Sequence, residues 1–214
     1  MAKTSRSFLF IGSFSLVLFA ASAQAQTDVA LSIYGAFNGS TSGNNVRQSP
    51  SNQAGGMLEL RHISNPLMGF DVTYSFNRAN QAYAYTGAIP AGLSCPITGG
   101  CPSPPVPVAV SANAHELTGD YIVSVHLANL RPFVLGGAGM LFNQPTSGQS
   151  NTQSATKPVF VYGAGLDWGL LPHIGLRLQY RGNLYKAPDL TTAFSSTGAF
   201  EHSAEPMIGA YLRF

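Results

Sequence analysis

The sequence predicts an all-β protein, folded as an eight-stranded antiparallel up-and-down transmembrane β-barrel. Three observations lead to this prediction. Charged residues make up only 9% of the chain and apolar residues 45%, whereas soluble domains carry about 25% charged residues. Eight stretches alternate apolar and polar residues with the period of a β-strand. The connections between them alternate between long and short, which is the layout of a barrel that crosses a membrane.

The first 25 residues predict an export signal. Lys3 and Arg6 precede an apolar run of 14 residues, and the triplet from Ala23 to Ala25 has the small-x-small pattern that signal peptidase accepts. We therefore expect residues 1–25 to be a cleaved signal peptide and residues 26–214 to be one barrel domain. A membrane anchor is the alternative, but the apolar run is shorter than the roughly 20 residues that a spanning helix needs.

The charge balance argues against a nucleic-acid partner. Cleavage would remove two cations and leave nine basic and nine acidic residues, without the basic stripe that binds a phosphate backbone. The glycine-rich run Gly136–Gly139 lacks the lysine and the helix that follow a phosphate-binding loop. We expect neither a nucleic-acid partner nor a cofactor.

Eight strands follow the signal segment. A tilted strand crosses a hydrocarbon core with about 9 to 11 residues, and each predicted strand reaches or approaches that length. The predicted strands are Val29–Phe37, Gly56–Ile63, Leu67–Asn77, Ala114–His126, Arg131–Phe142, Pro158–Trp168, His173–Tyr185 and Glu201–Phe214.

The connections predict which strand ends lie together. Three are of turn length, namely Ser64–Pro66, Leu127–Leu130 and Gly169–Pro172. Four are long and rich in Ser, Thr, Asn, Gly or Pro, namely Asn38–Gln53, Arg78–Asn113, Asn143–Lys157 and Lys186–Phe200. In a membrane barrel, the short turns are periplasmic and the long loops extracellular.

Each strand has one apolar face and one polar or small face. In the seventh, Ile174 and Leu176 alternate with Gly175 and Arg177. A soluble, lipocalin-like barrel would turn the apolar face inward and would need charged residues on its outer face. No predicted strand carries a lysine, which favours an apolar exterior that faces lipid.

Two strands resemble a known family. The last strand ends on an aromatic residue, and every second residue before it is apolar; these residues are Ile208, Ala210, Leu212 and Phe214. This pattern resembles the insertion signal of bacterial outer-membrane proteins. The fifth, Arg131–Phe142, begins with a proline and an aromatic residue followed by glycines. It resembles a strand of the outer-membrane β-barrel domain family, of the OmpA and OmpX kind.

The resemblance implies a location and partners. A member of this family would lie in the cell outer membrane and would be inserted there by the barrel-assembly machinery. It would contact outer-membrane lipids and lipopolysaccharide through its outer face. Independently of the resemblance, long loops in a compact domain are usually functional or disordered, so we expect the extracellular loops, above all the one that contains Cys95 and Cys101, to bind an extracellular ligand that the sequence does not identify.

The predicted polar faces bring ten charged residues into the lumen: Glu59, Arg61, Asp71, Glu116, Asp120, Asp167, Arg177, Arg181, Glu205 and Arg213. They could form a path for ions. They could instead fill the interior as paired charges, because an eight-stranded barrel has only just room for side chains. We favour the filled interior and keep a narrow pore as the alternative.

The only two cysteines lie in the second long connection. Cys95 and Cys101 are separated by five residues of a Gly- and Pro-rich stretch, and the compartment outside the inner membrane is oxidising. We expect a loop-closing disulfide, with two free thiols as the alternative. No histidine accompanies them, so we expect no metal site.

One short motif raises the possibility of catalysis. His62, Ser64 and Asn65 resemble the His-x-Ser-Asn of an outer-membrane lipid A deacylase, in which a downstream Glu would assist attack by the serine. Phe76 stands where that Glu would be needed. We therefore expect a non-enzymatic barrel with a structural or surface-interaction role, such as adhesion or binding.

Aromatic residues near the strand ends predict two girdles at the membrane interfaces. These residues are Phe70, Phe76, Phe133, Phe142, Tyr162, Trp168, Tyr180 and Phe214.

Overall fold

The computed structural model describes residues 26–86, 107–146, 148 and 150–214. Within these residues, no helix is long and apolar enough to cross a membrane. The predicted signal peptide and the predicted Cys95–Cys101 disulfide lie outside the described residues.

Twelve strands form within the described residues. They are β1 (Gln26–Asn38), β2 (Thr41–Gly43), β3 (Val46–Pro50), β4 (Gln53–Ile63), β5 (Met68–Arg78), β6 (Gln81–Tyr85), β7 (Val108–Val110), β8 (Ala112–Ser124), β9 (Leu130–Pro145), β10 (Ala155–Gly169), β11 (Ile174–Lys186) and β12 (Phe200–Arg213).

Eight of these strands close into a barrel. Its order is β1-β12-β11-β10-β9-β8-β5-β4, with β4 paired back to β1, and every pair is antiparallel. Neighbours in the barrel follow one another along the chain except at the seam, where β1 pairs with β12. This arrangement confirms the predicted eight-stranded up-and-down barrel.

The two ends of the barrel differ. One end, here called the turn end, carries short connections between β4 and β5, β8 and β9, and β10 and β11. The Asn65 side chain accepts hydrogen bonds there from the backbone N–H groups of Leu67 and Met68, at 3.1 and 2.9 Å. The other end, here called the loop end, carries the four long connections.

The loop end contains more regular structure than the sequence predicted. Strands β2, β3, β6 and β7 form a second, four-stranded sheet, here called the loop sheet. Asn44 and Asn45 make the turn between β2 and β3 with φ values of 51° and 60°, a backbone that Asn tolerates better than most residues. Val46 and Tyr83 are buried beneath the sheet, so a small apolar cluster stabilises it.

The barrel is apolar outside and charged inside. Leu31 and Tyr121 expose 68% and 70% of their surface on the outer face. Arg61, Arg177 and Arg181 are completely buried within the barrel. This distribution is the reverse of that in a soluble protein, so the soluble-barrel alternative is wrong.

Candidate functional site

The charged lumen begins, on the turn-end side, with Arg177 of β11. Its Nε donates to Asp167 Oδ1 at 2.7 Å, and one Nη donates to Asp28 Oδ1 at 2.9 Å. Its other Nη lies 3.6 Å from Glu59. All four side chains are fully buried, so this guanidinium holds together carboxylates from β1, β4 and β10.

Arg61 of β4 lies beside Arg177 and uses some of the same carboxylates. It donates to Asp71 at 3.1 Å and to Asp167 at 3.3 Å, and it lies 3.5 Å from Glu59. Its guanidinium also sits over the Phe133 ring, 4.2 Å from the centroid. Cation–π contact of this kind is favourable when the cation is desolvated.

Phe133 does not belong to an interfacial girdle. Its side chain is 3% exposed and points into the lumen, so the girdle prediction was wrong at this residue. Gly165 on the adjacent strand makes room for it, because a Cβ at position 165 would overlap the Phe133 ring. The Arg177 guanidinium also lies over the Phe133 ring, 5.8 Å from its centroid.

A second layer of charges lies nearer the loop end, around Arg181 of β11. Arg181 donates to Asp120 at 3.1 Å and to Thr118 at 3.0 Å, and it lies 3.6 Å from Glu116. The Thr73 hydroxyl accepts a further hydrogen bond at 3.3 Å. This layer has one arginine for two directly contacting carboxylates.

Two more carboxylates line the lumen between Arg181 and the loop end. Glu201 accepts a hydrogen bond from the Tyr185 hydroxyl at 2.9 Å, and Glu205 accepts one from the Ser203 hydroxyl at 3.2 Å. Neither makes an ion pair with another described residue. The lumen is therefore most acidic close to the loop end.

The structure places nine of the ten charged residues predicted for the lumen in buried positions. The tenth, Arg213, lies half-buried at the turn end and donates to the Tyr211 hydroxyl at 3.2 Å. Sequence reasoning missed Asp28, Arg131 and Glu201, which are also buried. Glu201 shares the parity of Glu205 and could have been found. Asp28 was missed because the first strand begins earlier than predicted.

Near the loop end, the described cavity among the lumen charges is small. A polar cavity of about 30 Å³ lies near the loop end, lined by Glu116, Glu201, Glu205 and Tyr185 among others. That volume holds about one or two water molecules. The arginine layers thus occupy the barrel as a plug of paired charges.

The segment of residues 187–199, here called the cover segment, folds across the loop sheet. Tyr83 of β6 anchors it: the Tyr83 hydroxyl donates to the Pro188 carbonyl at 2.9 Å and accepts from the Leu190 N–H at 3.1 Å. Gln48 donates to the same carbonyl at 2.9 Å. Burial raises the pKa of the Tyr83 phenol, so it remains a protonated donor.

The far part of the cover segment is also attached. Phe194 packs against Tyr85, with ring centroids 4.7 Å apart, and Asn44 donates to the Ser196 carbonyl at 2.7 Å. Lys157 and Asp189 form an ion pair at 3.1 Å beside the segment. These contacts make the loop sheet and the cover segment one ordered unit above the lumen.

Among the described residues, the opposite face of the loop sheet carries the more exposed side chains. Arg47 is exposed there, with Ser42 beside it on β2 and Ala84 beside it on β6. Its remaining neighbours on this face are also small: Ser49, Ala82 and Ala109. The result is a flat surface with a guanidinium among small side chains.

The hydrolase-like motif lies at the turn end. His62 Nδ1 is 3.0 Å from the Thr27 hydroxyl, and its ring packs against Phe70 with centroids 5.4 Å apart. Ser64 lies in the turn that follows, where its N–H donates to the Met68 carbonyl. The histidine thus has a partner other than the serine of the motif.

The predicted assembly signal lies on the outer face of β12. Ile208, Leu212 and Phe214 are all exposed there, and Ala210 lies between the first two on the same face. Together they form an apolar ladder beside the seam.

Comparisons with known proteins agree with this architecture. The family model described as outer membrane protein beta-barrel domain matches residues 8–199. Neisserial surface protein A, from Neisseria, is 12% identical in its crystal structure; the match covers 88% of this chain and 97% of that chain, with a TM-score of 0.55. No curated protein sequence matches the chain.

A second solved structure is similar. The outer membrane protein OprG from Pseudomonas aeruginosa is 8% identical; the match covers 90% of this chain and 97% of that chain, with a TM-score of 0.56. At these identities the similarity to either structure shows the fold alone.

Proposed function

Because the chain belongs to the outer membrane protein β-barrel domain family and lies in the outer membrane, we propose that it is a non-conducting barrel that binds a ligand at the cell surface. In such barrels the short turns face the periplasm and the long loops face outward. The loop sheet and the cover segment then lie outside the cell. The barrel would serve as their membrane support.

One observation carries the proposal: the loop sheet and the cover segment form one hydrogen-bonded unit at the loop end of a barrel whose lumen holds buried ion pairs. A transport path would need space through the barrel, whereas buried arginines and carboxylates occupy it. Binding surfaces on rigid scaffolds are common at loop ends. The exposed face of the loop sheet offers a guanidinium among small side chains, which suits an acidic group on a ligand.

Reversal of the charge at Arg47 tests the binding proposal. Bacteria that display the protein are applied to arrays of immobilised matrix proteins and glycans, beside bacteria that display an unrelated barrel. We expect selective attachment that Arg47→Glu reduces at least tenfold. Lys186→Glu is the matched control, since Lys186 is also exposed at the loop end but lies on β11, and it should retain attachment. Attachment no greater than that of the unrelated barrel would contradict the proposal.

A narrow cation pore is the second candidate, and the excess of acid in the lumen favours it. The described lumen holds eight carboxylates and five arginines; besides the ten predicted residues these include Asp28, Arg131 and Glu201. Planar-bilayer recordings separate the two functions. The filled lumen predicts no stable current. A cation-selective current that disappears in Asp120→Asn or Asp167→Asn would establish the pore instead.

We further propose the partners that membrane insertion requires. The apolar ladder that ends at Phe214 would be recognised by the barrel-assembly machinery, and the outer face would contact lipids and lipopolysaccharide. The proposal includes no enzymatic step, because His62 is hydrogen-bonded to Thr27 at the periplasmic end. Loss of an acyl chain from lipid A that depends on His62 and Ser64, measured by mass spectrometry, would contradict this part.

A further inference from the structure

The periplasmic mouth of the barrel contains a basic cavity that the surface-binding function does not use. The cavity has a volume of about 320 Å³ and is lined by His126, Arg131, Asp167, Tyr211 and Arg213, together with turn residues. It opens at the turn end, on the opposite side of the membrane from the loop sheet.

Arg131 of β9 is the buried member of this group. It is 3% exposed, yet its guanidinium is only partly satisfied. One Nη donates to the Gln26 side-chain carbonyl and lies 2.9 Å from His126 Nε2. Its Nε and its other Nη have no protein partner among the described residues. Buried polar groups in native proteins almost always have a partner, so these donors call for an acceptor.

Arg213 adds a second incomplete guanidinium. One Nη donates to the Tyr211 hydroxyl at 3.2 Å, and its buried Nε has no partner within the described part of the chain. Asp167 is the carboxylate that lines the cavity. Its oxygens already accept from Arg177 at 2.7 Å and from Arg61 at 3.3 Å, so its charge is largely balanced from inside the lumen.

From this geometry we propose that the periplasmic mouth binds a phosphate-type oxyanion between Arg131 and Arg213. Guanidinium groups present N–H donors in a planar fork that fits the oxygens of a phosphate. The cavity has room for such a group, and Arg131 and Arg213 both line it. The oxyanion would be carried by free phosphate or by the headgroup of a phospholipid in the periplasmic leaflet.

The pKa of His126 can be used to detect an anion bound in the cavity. This histidine lies in the turn between β8 and β9, where it faces Arg131, Arg213 and Asp167. Burial, and then the two arginines, lower the pKa of its imidazole. A bound anion favours the protonated ring, so occupancy should raise the His126 pKa.

The test is an NMR titration of His126 in the refolded barrel, in maltoside micelles that contain no phosphate. Inorganic phosphate should raise the His126 midpoint in a saturable manner, and Arg213→Gln should weaken the apparent affinity about tenfold or more, because it removes charge-assisted hydrogen bonds. Arg131→Gln should have a larger effect. Arg213 is half-buried, so its variant serves even if the Arg131 variant does not fold. Lys186→Gln, exposed at the loop end of β11, is the control and should bind as the unchanged protein does.

A second arm distinguishes the two sources of the oxyanion. The barrel is transferred from phosphate-free maltoside micelles into nanodiscs of phosphatidylglycerol, without added phosphate. A rise of the His126 midpoint with inorganic phosphate in micelles identifies a free oxyanion, and a rise on transfer into the nanodiscs alone identifies a lipid headgroup. No response to either probe, or equal responses in Arg213→Gln and the unchanged protein, would overturn the proposal and leave water as the partner of the free donors.

Discussion

Arg177 lies wholly inside the barrel and contacts three carboxylates, of which Asp167 and Glu59 also contact Arg61. Truncation by Arg177→Ala would leave Asp28, Asp167 and Glu59 without this partner in a buried site. Removal of one member of a buried ion pair costs about 3 to 5 kcal/mol, so we expect a loss of that order in the free energy of unfolding. Urea titration of the barrel in lipid vesicles measures it.

The control for this prediction is another arginine in a different environment. Arg47 is exposed on the loop sheet, and Arg47→Ala should change stability by no more than about 0.5 kcal/mol. Equal effects of the two substitutions would mean that the buried network contributes no more than a surface charge.

The environment of His126 predicts that the stability of the barrel depends on pH. Burial and the neighbouring arginines hold the pKa of this imidazole below the usual value, which is about 6.5. At a pH between the lowered pKa of the folded barrel and the ordinary pKa of the unfolded chain, His126 is protonated more in the unfolded chain than in the folded barrel. The contribution of His126 to stability is therefore complete above pH 6.5 and declines as pH falls towards the lowered pKa.

NMR titration checks this pH dependence directly. The midpoint of His126 should lie below 6.5 and should rise in Arg213→Gln, because a nearby cation has been removed. A midpoint at or above 6.5 in phosphate-free buffer would contradict the placement of this imidazole beside Arg131 and Arg213.

The alternation of inward and outward side chains along each strand correctly predicted most of the residues that face the lumen. It could not predict which of these residues form ion pairs with one another. Arg177 and Asp28 are far apart in the sequence, and only barrel closure brings them to 2.9 Å. Phe133 shows a second limit. Aromatic residues near strand ends usually belong to the interface, and the sequence contained no sign that two arginines would cover its ring.

At the scale of elements, Tyr83 makes two of the hydrogen bonds that hold the cover segment against the loop sheet. Tyr83→Phe would remove the donor to the Pro188 carbonyl and the acceptor for the Leu190 N–H. An unsatisfied buried group costs about 1 to 3 kcal/mol, so we expect the segment to open more often. Hydrogen exchange at the Leu190 amide should become faster, while exchange within the barrel strands stays unchanged.

Tyr85→Phe is the comparison for that experiment. Tyr85 makes one hydrogen bond to the cover segment, to the Ala193 carbonyl at 3.2 Å, and it is only half-buried. Exchange at Leu190 should be close to that of the unchanged protein. Acceleration of equal size in both variants would contradict the anchoring role of Tyr83.

The barrel strands could be predicted because a membrane imposes a strict alternation over about ten residues. The loop sheet could not. Its strands have three to five residues, too few to show a period, and they contain Ser, Gly and Pro that are typical of loops. They are stabilised by contacts with the cover segment, more than 100 residues later.

For the molecule as a whole, the apolar outer face predicts that the cost in stability of an outward-facing arginine depends on its depth in the membrane. Val72 lies midway along β5 and is exposed on the outer face. An arginine at the bilayer midplane costs about 2 to 4 kcal/mol on a barrel surface, and close to zero to 1 kcal/mol near the interface. We expect Val72→Arg to destabilise the barrel by the larger amount.

Met68 provides the control on the same strand, since it is exposed at the turn end of β5. Met68→Arg should cost no more than about 1 kcal/mol. The fluorescence of Trp168, the only tryptophan of the chain, reports unfolding in lipid vesicles. Equal costs at the two positions would contradict the assignment of this face to lipid.

The pairing of β1 with β12 also constrains the order of events during folding. Asp28 stands opposite Arg213 across the seam, and the seam joins the first and the last barrel strand along the chain. Contacts between such distant residues form slowly, because a long loop must close first. Until then, both strands present unpaired backbone edges that invite pairing with other chains. The barrel therefore cannot close until β12 has been synthesised, and its time of greatest exposure to aggregation falls before that closure.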